Sequence, residues 1–261
     1  VAQSIGGGGG LIGALSQIDL TQAVERPSFI FHAGAGGDIN VDVQAGSAIT
    51  TSGQRAHGIF AQSAGQGGGL YGHADGSGFV IAGSGNAACD AACTGTVTVN
   101  VEGNVVVTGA ESYGIYALSR GNNTNVVNIN IAAGATVRSD GQAAGALVVS
   151  GGYDTYPSGL PKSQISIAGR LDGYSGPALI VDSIANIVNT GFVTGDILAS
   201  NAVLQNNPTG TIFTNATINA GSILNTGTLW IGTHDAILQQ TTINTGLFTS
   251  TGYIVAGVDF V

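Results

Sequence analysis

The residues with the most obvious chemical potential are two cysteines in the run C-D-A-A-C, Cys89 and Cys93. A C-x-x-x-C pair lacks the second half of a zinc site, and His32, His57, His73 and His234 are scattered along the chain. The pair reads as a local disulfide, with two free thiols as the alternative. Closing so small a ring stabilises by ~2 kcal/mol at most, so it would shape a loop rather than hold a domain. It also points to an oxidising compartment.

Polysaccharide hydrolysis would need two or three carboxylates brought to the same position on neighbouring elements. Asp42, Glu102, Asp140, Asp172, Asp182 and Asp196 occupy different local contexts, and Arg55, Arg120, Arg138, Arg170 and Lys162 are isolated in sequence. No catalytic constellation is expected. The run G-G-G-G-G at 6–10 lacks the G-K-[ST] of a phosphate loop, and G-A-G-G-D at 34–38 is a single copy of what a calcium repeat would need in tandem. No cofactor and no metal are expected. His57, before Gly58, reads as a solvated corner residue. Trp230, in L-W-I-G, reads as a core cap, with an outward position as the alternative. The candidate partner-binding residues are Tyr71 and His73, in the segment 64–96, and Tyr153 and Tyr156, in G-G-Y-D-T-Y-P-S-G-L-P. Exposed rings there could stack on sugars or anchor a protein, or simply pack their own loop.

What positions these residues is a repeat. The chain has 261 residues, 44 of them glycine, with 8% charged and 43% hydrophobic residues and a formal net charge of -9. So many apolar residues exclude a charge-rich disordered segment. So few Lys and Arg exclude a phosphate-binding stripe and hence nucleic acid as a partner. No apolar run reaches the length of a membrane helix. Instead, short alternating runs recur: I-N-V-D-V at 39–43, V-T-V-N-V at 97–101, V-N-I-N-I at 127–131 and I-S-I at 165–167. Each leads through a second short segment to a third apolar strand: G-I-F-A-Q-S (58–63), G-I-Y-A-L-S (114–119), G-A-L-V-V-S (145–150) and A-L-I-V-D-S (178–183).

After residue 184 the units shorten. Their corners read N-T-G, N-P-T-G, N-T-G and N-T-G, ending at Gly191, Gly210, Gly227 and Gly246, and are assigned to a left-handed backbone that Asn and Gly tolerate. A period near twenty with three strands per unit describes a coil, stacked at about 4.8 Å per turn. The expected fold is all-β, a parallel β-helix of roughly eight turns, with handedness open on spacing alone. It is one continuous domain: turns with side-loop insertions over 1–183, then regular short turns over 184–261. The segments 5–38, 64–96, 120–125 and 151–163 all follow the third strand, so they should emerge on one edge. The opening V-A-Q-S matches the end of a unit, and the chain is read as an excised fragment.

The pair V-A-Q-S-I-G-G-G-G-G and I-F-A-Q-S-A-G-Q-G-G-G, the N-x-G corners and the closing Y-I-V-A-G-V-D-F resemble the passenger domain of a bacterial autotransporter, a type V secreted surface protein. That resemblance implies a right-handed parallel β-helix, export through an outer-membrane β-barrel translocator, and display at the cell surface, anchored in the outer membrane by the full-length protein. The expected function is a non-enzymatic adhesin or cell–cell interaction module. Its partners would be a host surface protein or glycan, or itself, met through the loop edge. A carbohydrate-active β-helix enzyme and a passive stalk are the alternatives.

Overall fold

The computed structural model describes residues 1–5, 36–64, 69–72, 79–82, 95–120, 126–141, 145, 147–151, 162–214, 216–232 and 242–256. Among these there is no helix, and apart from a small hairpin every strand belongs to one parallel sheet wound on itself. The chain folds as a parallel β-helix.

Three columns of strands build it. The first stacks Ile39–Val43, Val97–Val101, Val127–Ile131, Ser163–Ile167 and Ala185–Asn189, then 202–206, 222–225 and 247–250. The second stacks Ala48–Thr51, Asn104–Val107, Thr136–Ser139, 170–173, 192–194, Thr211–Thr214, Thr228–Ile231 and Tyr253–Ala256. The third begins at Ala2–Ile5 and climbs through Ile59–Ala64, Ile115–Arg120 and Leu147–Gly151 to 242–245. Each column therefore holds eight stacked segments, as the repeat predicts. In the upper coils, strands such as Phe192–Asn206 run through the corners unbroken.

Alternation decides what is inside. In Val97–Val101 the three valines are fully buried while Thr98 and Asn100 face outward, half-buried. Ile129, Ile165, Ile187 and Leu204 continue the same inner row, each within a few per cent of complete burial. The interior is one apolar column, and the coils are joined by pairing between strands whose residues are up to 59 apart in sequence, as at Ala2 and Ala61.

Three sequence readings are corrected. The third-column copy at 145–150 is displaced by one residue: Leu147 pairs with Ile115 and Leu179, not with Tyr116 and Ile180. A one-residue slip would exchange the two faces of the strand, and the buried Ile115 and Leu179 set the register. Gly246 does not belong to the corner of Gly191, Gly210 and Gly227. It lies over Gly221, between the third and first columns, and Gly252 takes its place in the series. Nor is that corner left-handed. Among the described residues the glycines with positive φ are Gly46, Gly134, Gly195 and Gly232, and the non-glycine residues are Arg55 and Glu111 at φ 55. Gly191 is needed because an added Cβ would lie 2.1 Å from the Gly169 carbonyl oxygen of the coil below.

Asparagine works differently from the expectation as well. Asn189, Asn206 and Asn225 point into the corner and are buried. Asn189 Nδ2 donates to Asn206 Oδ1 at 2.8 Å, and Asn206 Nδ2 to Asn225 Oδ1 at 2.7 Å. These are internal ladders, like those of stacked identical strands.

The long insertions leave from the end of the third column, as predicted. Outward side chains there are buried: Phe60 at 7%, Gln62 at 0% and Leu118 at 3% exposure. The third column is thus covered on both sides in its lower coils.

Candidate functional site

Of the sequence-predicted site residues, Cys89, Cys93, His73, Tyr153 and Tyr156 lie outside the described residues. Tyr71 lies in the strand Gly69–Gly72, antiparallel to Phe79–Ala82 and opposite Val80. Among the described residues no group of three His, Cys, Asp or Glu could hold a metal ion. Asp42 is fixed by two asparagines, Asn40 and Asn100, each at 2.7 Å, and Asp196 accepts from the Thr217 amide at 3.0 Å. These carboxylates act as local clamps.

His57 is not a solvated corner. Its ring stacks on Tyr113 and Tyr116 at 5.2 and 5.3 Å, with Phe60 at 6.2 Å, and its Nδ1 accepts the Tyr113 amide proton at 3.1 Å. The neutral ring therefore carries its proton on Nε2. Burial pushes its pKa below 6.5, because a charged imidazolium would be held among rings. As pH falls, the unfolded chain takes up this proton first. The stabilisation is present above pH 6.5 and is lost as pH falls through the folded value. Denaturant midpoints should fall on acidification over that window, and His57→Phe should flatten that part of the profile.

Three of the isolated basic residues are in fact paired. Arg55 reaches Glu111 on the next coil at 2.5 Å, and this guanidinium holds the Glu111 carboxyl below its usual range. Arg138 pairs with Asp140, and Arg170 Nη2 donates to Asp172 Oδ2 at 2.8 Å. Stacking does not forbid outward charge where signs alternate: Arg138 lies in register with Asp172 on the coil above.

The last two pairs sit on the outward face of the second column, which gathers most of the described aromatic residues outside the His57 cluster. Two outward positions per strand make two rows. One runs Thr136, Arg170, Phe192, Thr211, Thr228, Tyr253, and the other Arg138, Asp172, Thr194, Phe213, Trp230, Val255. Trp230 is 43% exposed, Tyr253 75% and Tyr174 72%. Trp230 thus takes the outward alternative: it follows Leu229, which is buried, and β alternation sends it out.

Arginine and ring are matched on this face. The Arg170 guanidinium lies 4.9 Å from the centre of the Phe192 ring, and that of Arg138 lies 5.3 Å from the Tyr174 ring. Beside them Asp172 Oδ1 and Thr194 Oγ1 are buried with no hydrogen-bond partner. A shallow depression of about 420 Å³ adjoins Arg170 and Phe192, and the corner residues Gly134, Gly169 and Gly191 contribute bare backbone to its floor.

No family model, no curated protein and no solved structure matches the chain. The functional reading therefore rests on the residues themselves. The face was missed in the sequence because its members come from six coils. A signal was present: counted from corner glycines Gly191, Gly210, Gly227 and Gly252, the outward places are the first and third residues, which include Phe192, Phe213, Trp230 and Tyr253. Taking Gly246 as a corner broke that alignment.

Proposed function

We propose that this chain is a non-enzymatic binding rod of the autotransporter-passenger type. It acts as an adhesin or cell–cell contact module toward a host surface protein or glycan, or toward another copy of itself. The observation that supports this reading is the filled, in-register coil. An apolar column fills most of its interior, with asparagine ladders at a corner, so no polar cavity opens inside the coil and its aromatic rows face outward. Such rows suit contact with extended surfaces better than the enclosure of a small substrate. In this reading the full-length protein is exported through an outer-membrane β-barrel translocator and displayed at the cell surface, anchored by that barrel.

The long insertions at the end of the third column are the first place to test. Gly95 donates to Ser63 Oγ and Thr96 to Asp38, so a deletion must spare both residues. Replacing 65–94 by a short Gly-Ser linker should leave a β-rich circular dichroism spectrum while abolishing adhesion of protein-coated beads to cells or to each other. Unchanged adhesion would remove the insertion from the contact surface. Release of reducing or unsaturated sugar from polysaccharides by the purified chain would overturn the non-enzymatic reading.

A further inference from the structure

We infer that the outward face of the second column is a binding track for an extended, neutral polysaccharide. This rests on the binding-rod reading and moves its contact surface from the loop edge to a strand face.

Shape argues first. Phe192, Phe213, Trp230 and Tyr253 come from four successive coils, so aromatic rings recur along the rod axis at a strand spacing of about 4.8 Å. An extended pyranose chain advances by a similar distance per sugar, and its apolar C–H faces stack on such rings. The track is only two side chains wide. A specific protein interface draws on roughly 20–30 residues a side, which a track this narrow does not supply.

Charge argues second. The cations of the track, Arg138 and Arg170, are each already paired to a carboxylate, Asp140 and Asp172. No cation is left over to match a uronate or sulfate, and the chain as a whole carries -9. A neutral glycan meets no such mismatch, whereas a second copy of the chain would bring the same negative charge.

Hydrogen bonding argues third. Asp172 Oδ1 and Thr194 Oγ1 lack partners, and buried polar atoms seldom stay so. Arg170, whose side chain is 48% exposed, stands beside them and bonds Asp172 through Oδ2, which leaves Oδ1 unfilled. Sugar hydroxyls both donate and accept, and so can satisfy the carboxylate oxygen and the threonine hydroxyl together.

Trp230 is the single tryptophan of the chain, so its fluorescence reports on the track directly. Soluble β-glucan, galactomannan and dextran would be titrated into the purified chain, with polygalacturonate as the acidic comparison. At least one neutral polymer should blue-shift the emission and protect Trp230 from acrylamide quenching. Phe213→Ala and Asp172→Asn should each weaken binding by about tenfold or more, as followed by affinity electrophoresis. Circular dichroism would confirm that both variants remain folded. Preference for polygalacturonate, or neutral-glycan binding that survives both substitutions, overturns the track. If glycan binding is instead lost on deletion of 65–94, the track fails and the binding rod stands. If no glycan binds and coated beads adhere to nothing, both fail.

Discussion

Replacing Gly227 by alanine is expected to break the coil around it, while the same replacement at Gly246 leaves the protein folded. A Cβ on Gly227 would lie 2.2 Å from the Asn207 carbonyl oxygen and 2.3 Å from that of Gly210. Both are backbone atoms of the coil below, so no side chain can turn away. Relief requires the coils to separate, and the bonds from Gly227 N to Asn206 O at 3.0 Å and from Thr228 N to Gly210 O at 2.9 Å are what they would lose. A cost of ~4 kcal/mol or more is reasonable for strain of this kind at a buried backbone contact. At Gly246 the nearest atom is the Gly221 oxygen at 3.1 Å, which a shift of a few tenths of an ångström relieves. Urea midpoints of the two variants, followed by circular dichroism, should therefore differ widely. Equal midpoints would mean that the two corners are equivalent after all.

Asn206→Ala is expected to cost about 2–4 kcal/mol, since it opens the asparagine ladder in the middle. Asn206 accepts from Asn189, donates to Asn225 Oδ1, and donates to the Thr228 carbonyl at 3.0 Å. It is 1% exposed, so water cannot replace it without entering the corner. Asn225 is left with an unfilled acceptor and the Thr228 carbonyl loses a donor. The neighbouring Asn207, which is half-buried and outside the ladder, serves as the control. Asn207→Ala should change stability by well under 1 kcal/mol. In a solenoid the loss is felt first by adjacent coils, so amide exchange should quicken around 185–231 before the lower coils respond. Uniform exchange throughout, or equal effects at the two positions, would contradict the ladder.

Much of this architecture is legible without coordinates. The runs at 39–43, 97–101 and 127–131 alternate strictly, and each inward valine or isoleucine is buried except Val41, which is partly buried. The third-column strands are equally plain, apart from the copy at 145–150, where alanine and valine at successive places make two registers look alike. Corner residues were harder to read. Asn206-Asn207-Pro208-Thr209-Gly210 is two residues longer than the corners 189–191 and 225–227, so the motif N-P-T-G leaves out the ladder asparagine, Asn206. N-T-G at 244–246 repeats the corner motif at a different corner. His57 looked solvent-facing because its partners Tyr113 and Tyr116 are more than fifty residues away in sequence.

By itself, then, the sequence determined the strand, the inward residues and the number of coils. Those depend on local alternation and on a repeat of short range, which any window of the chain displays. Tertiary structure decided which residues become neighbours from coil to coil. Backbone hydrogen bonds between coils set that register, and the steps between registered residues vary from 17 at Asn189–Asn206 to 59 at Ala2–Ala61. Only with those steps in place do Phe192, Phe213, Trp230 and Tyr253 come onto one face, beside the Arg138–Asp140 and Arg170–Asp172 pairs that each coil forms within itself.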